Sequence, residues 1–227
     1  MARLTWFFDP VSPYAYLFSQ QLVSIIKPRY PLLQIKTVPV LFAGLLNSHG
    51  NKGPAEIPAK RDYIFTDCLR SALLADIPFK MPPSHPFNPL LSLRSAVSLQ
   101  DEESRLNISV SLLRACWGEG KDIANVEVVR KIFKNSNLDA DDIIQRSSQD
   151  SAKDQLRRNT EEAVRSGIFG VPSIDINGEI FWGSDRLDHL IAQLDSQFSC
   201  LDLPRFRANL QRIPRGSDRK LHRESKK

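Results

Sequence analysis

The chain is poor in cysteine, with three in 227 residues, Cys68, Cys116 and Cys200, set far apart. That spacing offers no C-x-x-C redox pair, no zinc-ligand pattern and no disulfide framework, and it suits a reducing compartment. Glycine is also scarce, ten in all, and no G-x-G-x-x-G occurs, which excludes a collagen-like repeat and a phosphate-cradling loop of that type. No stretch of about 18 uninterrupted apolar residues occurs, so no membrane span is expected. Met1-Ala2-Arg3 runs directly into Leu4-Thr5-Trp6 with no apolar leader or small-residue cleavage site, and Ser225-Lys226-Lys227 lacks the leucine of a peroxisomal address. A cytoplasmic protein is expected. The four histidines have no partners at ligand spacing, and no metal site is expected.

Charge of one sign is confined to one end. The net charge is +5, but from Arg205 onward nine basic residues face two acidic ones, a local +7 that leaves the rest of the chain at −2. A near-neutral body with a short basic tail does not make a phosphate-binding face, so nucleic acid is not an expected partner, and the tail reads as a solvated terminus. What remains is ordinary globular composition, 41% hydrophobic and 25% charged, with length enough for a sizeable core.

The pattern opens as strand, helix, strand. Leu4 to Phe8 is a short apolar and aromatic run stopped by Asp9-Pro10, which reads as a buried strand. Ser12-Pro13 supplies an N-cap hydroxyl and a proline at the first helical position, and Tyr16, Leu17, Leu22, Val23 and Ile26 continue at helical spacing to Lys27-Pro28. A second strand is expected over about Leu33 to Val40, parallel to the first. Ala43 to Pro58, with Gly44, Asn47, Gly50, Asn51, Gly53 and Pro54, reads as a long loop. Helical spacing then occupies Ala59 to Ala75, Leu90 to Trp117, Val126 to Lys134, Ala140 to Ser147 and Ala152 to Ser166, broken by the prolines between Pro78 and Pro89. Ser173 to Trp182 is two strands around Asn177-Gly178, a type I′ hairpin signal. A last helix is expected from Ser184-Asp185, with Asp188 closing an acidic capping box, to about Phe198. The order predicts an α/β protein, a thioredoxin-like βαβ…αββα domain (1–58 and 152–200) interrupted by an all-helical insertion (59–151) and followed by a basic tail (201–227).

Three segments on these elements carry a resemblance: Phe8-Asp9-Pro10-Val11-Ser12-Pro13-Tyr14; Gly50-Asn51-Lys52-Gly53-Pro54 through Pro58-Ala59-Lys60; and Gly167-Ile168-Phe169-Gly170-Val171-Pro172 followed by Gly183-Ser184-Asp185-Arg186. Together, in this order, they resemble the 2-hydroxychromene-2-carboxylate isomerase and kappa-class glutathione transferase family of DsbA-like thioredoxin-fold proteins, over roughly residues 4 to 200. The tail lies outside it. The family often has proline where this chain has Gly53.

The residues suit that chemistry. Where redox members of the fold carry an attacking cysteine, this chain has Ser12, whose hydroxyl can donate to an anion that also feels the positive end of the helix. The resemblance implies that the anion is the thiolate of glutathione, acting as a cofactor. A thiol of pKa ~8.5 is about 3% ionised at pH 7; a two-unit depression raises that to roughly three quarters and requires about 2.7 kcal/mol. A helix terminus contributes ~0.3–2 kcal/mol and a hydrogen bond to a charge ~1.5–3 kcal/mol, which together suffice. By itself, without the other two segments, Ser12 reads first as a plain N-cap.

Val171-Pro172, after a Gly-Phe-Gly bend, suits a cis-proline that leaves the Val171 backbone free to pair with an extended peptide, though it also suits a structural turn. Ser184 and Asp185 offer free N–H groups and a carboxylate for the γ-glutamyl end, or simple capping. Asn51 and Lys60 can hold substrate oxygens and a carboxylate, and are otherwise a turn asparagine and a surface lysine. Tyr14 can line an aromatic cleft or pack in the core, and Trp117 reads as core or pocket wall.

The resemblance implies a glutathione-dependent isomerase acting on a small conjugated aromatic carboxylate in aromatic-compound catabolism, with the thiolate adding reversibly, and a homodimer. The alternatives are a kappa-class transferase that releases a conjugate and a glutathione-binding module without activity. Thiol–disulfide exchange is disfavoured by the absence of a thiol at Ser12.

Overall fold

A computed structural model describes residues 3–212. The chain divides into two units, Met1–Ile191 and Ala192–Lys227. In the first, β1 (Arg3–Phe8) leads to α1 (Pro13–Gln21), a π turn over Leu22–Ile26, the short α2 (Lys27–Arg29) and β2 (Gln34–Pro39). Pro28 has no N–H for the Ser24 carbonyl, and the helix widens to a π turn just before it.

The helical series is α3 (Phe42–Ser48), α4 (Pro58–Leu74), α5 (Leu90–Ser98), α6 (Glu102–Leu113), α7 (Val126–Asn135), α8 (Ala140–Ser148) and α9 (Asp150–Arg165). Then come β3 (Ser173–Ile176), β4 (Glu179–Trp182), a 3-10 turn at Ser184–Arg186 and α10 (Leu187–Leu194), while Leu203–Arg212 forms α11. No described helix is long and apolar enough to cross a membrane.

The four strands lie in the order β2-β1-β3-β4, with β1 parallel to β2 and antiparallel to β3. Trp6 sits opposite Thr37 on one side and Ile174 on the other. As a central strand β1 is buried on both faces, which explains its nearly unbroken apolar sequence. Trp6 and Phe8 stack on each other at 4.5 Å and Trp6 meets Phe18 of α1 at 6.1 Å. The opposite face presents Phe7 to a cluster with Val38, Leu45 of α3, Ala163 of α9, Ile168 and Val171. The sheet is thus sandwiched between α1 and the α3–α9 pair.

Several expectations need correction. The loop expected over Ala43–Pro58 begins as α3, because burying Leu45 and Leu46 outweighs the glycine and asparagine content of the segment. The long helix expected over Leu90–Trp117 is interrupted after Ser98, where Asp101 caps α6 by accepting from the Ser104 N–H at 2.7 Å. At Ser184 the acidic capping box gives way to a 3-10 turn without a side-chain cap. The terminal segment expected to be solvated chain is helical over Leu203–Arg212, with Phe206 and Leu210 exposed; Arg215, Arg219, Lys220, Arg223, Lys226 and Lys227 lie outside the described residues.

The bend between β1 and α1 is held by buried groups. Asp9 is fully buried, and its carboxylate oxygens accept from the N–H groups of Val11 and Phe42, both at 2.9 Å, joining the end of β1 to the start of α3. Burial pushes the Asp9 carboxyl up to about 7, more than the two N–H groups lower it. The Trp117 indole donates to the Pro10 carbonyl at 2.8 Å. The His85 Nε2, 3.0 Å from the Val11 carbonyl, must carry the proton there, and burial holds this imidazole below its ordinary value, in the neutral form that donates.

Two outcomes follow from this frame. Asn177 (φ 54°) and Gly178 (φ 85°) both occupy the left-handed region, so Gly178→Ala lowers stability by about 1 kcal/mol in urea unfolding. The raised pKa of Asp9 lies above its unfolded value, so its contribution is full below about pH 4 and is lost as pH rises through about 7. Thermal melts across that range will show wild type losing several degrees relative to Asp9→Asn, and parallel curves would contradict the assignment.

Candidate active site

Ser12 caps α1 with extended backbone (φ −91°, ψ 117°), and its Oγ accepts from the Ala15 N–H at 3.3 Å. The same hydroxyl donates to the Val171 carbonyl at 3.2 Å, across 159 residues of chain. The N-cap expected from the sequence and the contact with the Val171 loop are therefore one arrangement. A serine hydroxyl has one hydrogen, and here it is given to Val171.

The Val171-Pro172 bond is cis, as expected. Both residues are buried, and among the described residues the Val171 N–H has no hydrogen-bond partner. The Pro172 carbonyl accepts from the Gly183 N–H at 3.0 Å, which brings the Ser184–Arg186 turn beside the loop, and this turn packs on α1. Ser12, Val171, Pro172 and Ser184 thus come together. Gly170 lies so close to the Trp182 indole that a Cβ there would stand 2.6 Å from its Nε1, and Phe169 meets the same ring edge-on at 4.9 Å. Phe169 (41%) and Trp182 (52%) are exposed, forming an aromatic wall next to Val171.

Ser184 is nearly buried, whereas the exposed Asp185 carboxylate is engaged by Arg186. An incoming ammonium would have to share that carboxylate. Asn51 and Lys60 are both exposed; their backbone N–H groups donate to the carbonyls of Leu46 and Ile57, and among the described residues their side chains have no hydrogen-bond partner. His49 ties the Asn51 loop to the Val171 loop, its Nε2 lying 3.2 Å from the Ile168 carbonyl, while no described contact joins Asn51 or Lys60 to Ser12. Gly53 has φ −59°, the value a proline ring imposes, so the departure from the family pattern does not alter the loop's backbone.

Tyr14 departs from expectation in its polar end. Its hydroxyl donates to Asp67 of α4 at 2.7 Å, and burial with Asp67 and Cys68 alongside pushes its pKa up. The Tyr14 ring, not its hydroxyl, is what remains for a ligand. The same burial pushes the Cys68 thiol up to about 12, so it is no thiolate nucleophile near neutrality. The Cys116 thiol is raised too, by burial, and all three cysteines are free.

Asp9, His49, His85 and Trp117 are the supporting groups that sequence reasoning left out or read as core. Asp9 had a legible signal, a charged residue ending an apolar strand three positions before the helix cap. The two histidines had none, since their partners are backbone carbonyls of distant segments.

Glutathione can be tested against these residues. An unpaired N–H and a carbonyl at Val171, both beside the positive end of α1, match the backbone of a cysteinyl residue and its thiolate, so the residues present fit the tripeptide.

The DSBA-like thioredoxin domain pattern matches residues 3–195. Glutathione S-transferase kappa 2 of Caenorhabditis elegans is 30% identical over 209 residues, covering 85% of this chain and 92% of its own. The 2-hydroxychromene-2-carboxylate isomerase of Sphingobium xenophagum is 24% identical over 193 residues, covering 84% and 97%. A solved 2-hydroxychromene-2-carboxylate isomerase superposes with a TM-score of 0.79 at 25% identity, covering 92% of this chain and 98% of that one. These relatives are enzymes, and their kinship spans the whole sheet and helical series described above. The chain belongs to the DSBA-like thioredoxin domain family, among relatives named as kappa-class glutathione transferases and 2-hydroxychromene-2-carboxylate isomerases.

Proposed function

We propose that the chain is a glutathione-dependent isomerase of the 2-hydroxychromene-2-carboxylate type, acting on a small conjugated aromatic acid. The observation that carries this reading is Ser12 at the start of α1, hydrogen-bonded to the Val171 carbonyl where a redox relative would place a thiol. Cys68 and Cys116 are buried and un-ionised and neither stands at the α1 N-terminus, which supports a reading in which the reactive sulfur comes from a ligand.

Bound glutathione would supply a thiolate able to add to, and leave from, a conjugated double bond. Ser12 turns its hydroxyl from Val171 toward the sulfur and holds the negative charge together with the α1 N-terminus. Val171 pairs its N–H and carbonyl with the cysteinyl backbone beside Pro172. Ser184 and the backbone of its turn take the γ-glutamyl carboxylate, while Asp185 takes the ammonium by exchanging it for Arg186. Asn51 and Lys60 hold the oxygens and carboxylate of the substrate, and the Tyr14 ring faces its aromatic part. We propose with it a role in aromatic-compound catabolism, a cytoplasmic location and a homodimer.

A second reading, a kappa-class transferase, is favoured by the 30% identity to a relative of that name. The two differ in product. Incubating the enzyme with glutathione and 2-hydroxychromene-2-carboxylate is expected to give the isomer with no net loss of glutathione; accumulation of a stable conjugate with a halogenated aromatic instead, and no isomerisation, would select the transferase. Ser12→Ala is expected to lower kcat/KM at pH 7 roughly 10- to 100-fold, the worth of one hydrogen bond to a charge, with an unchanged melting temperature to within a few degrees. Unchanged turnover with tight glutathione binding would remove Ser12 from the mechanism.

A further inference from the structure

Away from Ser12, α3, α5 and α9 leave between them a cleft of about 550 Å3, within the range of small-molecule sites. Its apolar lining comes from Leu41, Leu90, Leu156 and Val164. Around these stand Arg94, Lys153, Arg157 and Arg165, with Glu161 the one carboxylate among the described lining residues. None of Ser12, Val171, Ser184, Asp185, Asn51 or Lys60 lines it.

The four cations are not equivalent. Lys153 is paired with Asp150 at 2.9 Å, and Arg157 with Asp154 and Glu161 at 3.3 and 3.0 Å, so their charge is answered along α9 itself. Arg94 and Arg165 have no ion pair among the described residues, and Arg165 stands on the exposed rim.

Arg94 is the informative one. Its Nε is buried without a hydrogen-bond partner. Arg105 and Arg146 also have an orphaned buried Nε, but their terminal nitrogens are occupied, Arg105 by Glu102 and the Leu99 carbonyl, Arg146 by the Ser98 carbonyl and Asp142. No nitrogen of the Arg94 guanidinium has such a partner among the described residues. The Nε is sealed from solvent, while the terminal nitrogens reach the cleft without an acceptor from the described residues, and a planar carboxylate is the group that meets such a guanidinium with two parallel hydrogen bonds.

We infer that this cleft is a second binding site, for a monoanionic amphipathic carboxylic acid whose carboxylate pairs with Arg94 and whose apolar body lies on Leu41, Leu90, Leu156 and Val164. One unanswered guanidinium inside and one on the rim suit a single negative charge, not a dianion or a phosphate cluster. The apolar lining suits an aromatic or short aliphatic body equally, and both are carried into the test. The site does not rest on glutathione binding.

The test is calorimetric titration of the full chain with 2-naphthoate, with decanoate and with the neutral 2-naphthalenemethanol, each with and without saturating glutathione. Saturable binding of one equivalent of either acid, the same with and without glutathione, is expected, with the alcohol at least about tenfold weaker. Naphthoate alone binding assigns aromatic acids and decanoate alone assigns aliphatic ones. Arg94→Met, which keeps the stem and removes the charge, should weaken the acid at least about tenfold, and Arg165→Glu a few-fold.

No binding of either acid, equal binding of the alcohol, displacement by glutathione, or affinities unchanged in both variants would overturn the inference. Should Arg94→Met fail to fold by circular dichroism, Arg165→Glu decides, since Arg165 is exposed and has no ion pair among the described residues to lose. If Arg165→Glu shifts the size-exclusion elution without changing acid affinity, the cleft is a contact between copies and the inference fails. Absence of any glutathione heat would count against the function proposed above and leave this site standing on the acid titrations.

Discussion

The geometry of the candidate site depends on one buried carboxylate. Asp9 ends the central strand with no exposure to solvent and joins the N–H groups of Val11 and Phe42. Remove it and two backbone donors are orphaned, one in the bend that presents Ser12 and one at the start of α3, and α3 loses its side-chain hydrogen bond to the end of β1. The indole of Trp117 and the imidazole of His85 fix the carbonyls of Pro10 and Val11 in the same bend. Four consecutive residues with no regular secondary structure are thereby held by the Asp9 side chain and by side chains from two remote parts of the chain. Such support lets a loop residue meet the opposite loop to within a hydrogen bond's tolerance.

This arrangement also accounts for how one fold serves two chemistries. In a redox member the position at the α1 N-terminus holds sulfur covalently; here it holds a hydroxyl, and under the proposed function the same helix end and the same cis-proline loop serve as a receptor for sulfur brought in from outside. The frame around the position need not change, because helix polarity and free loop backbone are properties of the main chain. Family membership is therefore strong information about frame and weak information about reaction, and isomerase and transferase relatives sit side by side among the sequences that match.

What was legible in the sequence followed the range of the forces involved. Strands β1 and β2, the Asn177-Gly178 hairpin, α7, α8 and α9 are written in local periodicity and turn chemistry, and they occur close to where those signals place them. Ser12 and Val171 were legible because a helix cap and a proline mark them; Ser184 was marked as the start of a capped helix, and a 3-10 turn stands there instead. α3 was not, since its reason to be helical is the burial of Leu45 against Phe7 and Ala163, over a hundred residues apart in sequence at the far end, and its local composition argues for a loop. The roles of His49 and His85 were invisible for the same reason, as was the engagement of the Tyr14 hydroxyl by Asp67. The placement of Asn51 and Lys60 as solvent-facing residues, without a described contact to Ser12, likewise depends on packing that no motif encodes.

The bond between Ser12 and Val171 has a consequence for selectivity among thiols. A hydroxyl that turns toward sulfur abandons the Val171 carbonyl, and a buried acceptor left without a donor carries a penalty of about 1–3 kcal/mol. A peptide thiol can repay that carbonyl with its own backbone N–H; a simple alkyl thiol cannot. Under the proposed function the resting hydrogen bond therefore acts as a filter, in which discrimination against small free thiols arises from the carbonyl they would strand and not from any steric gate.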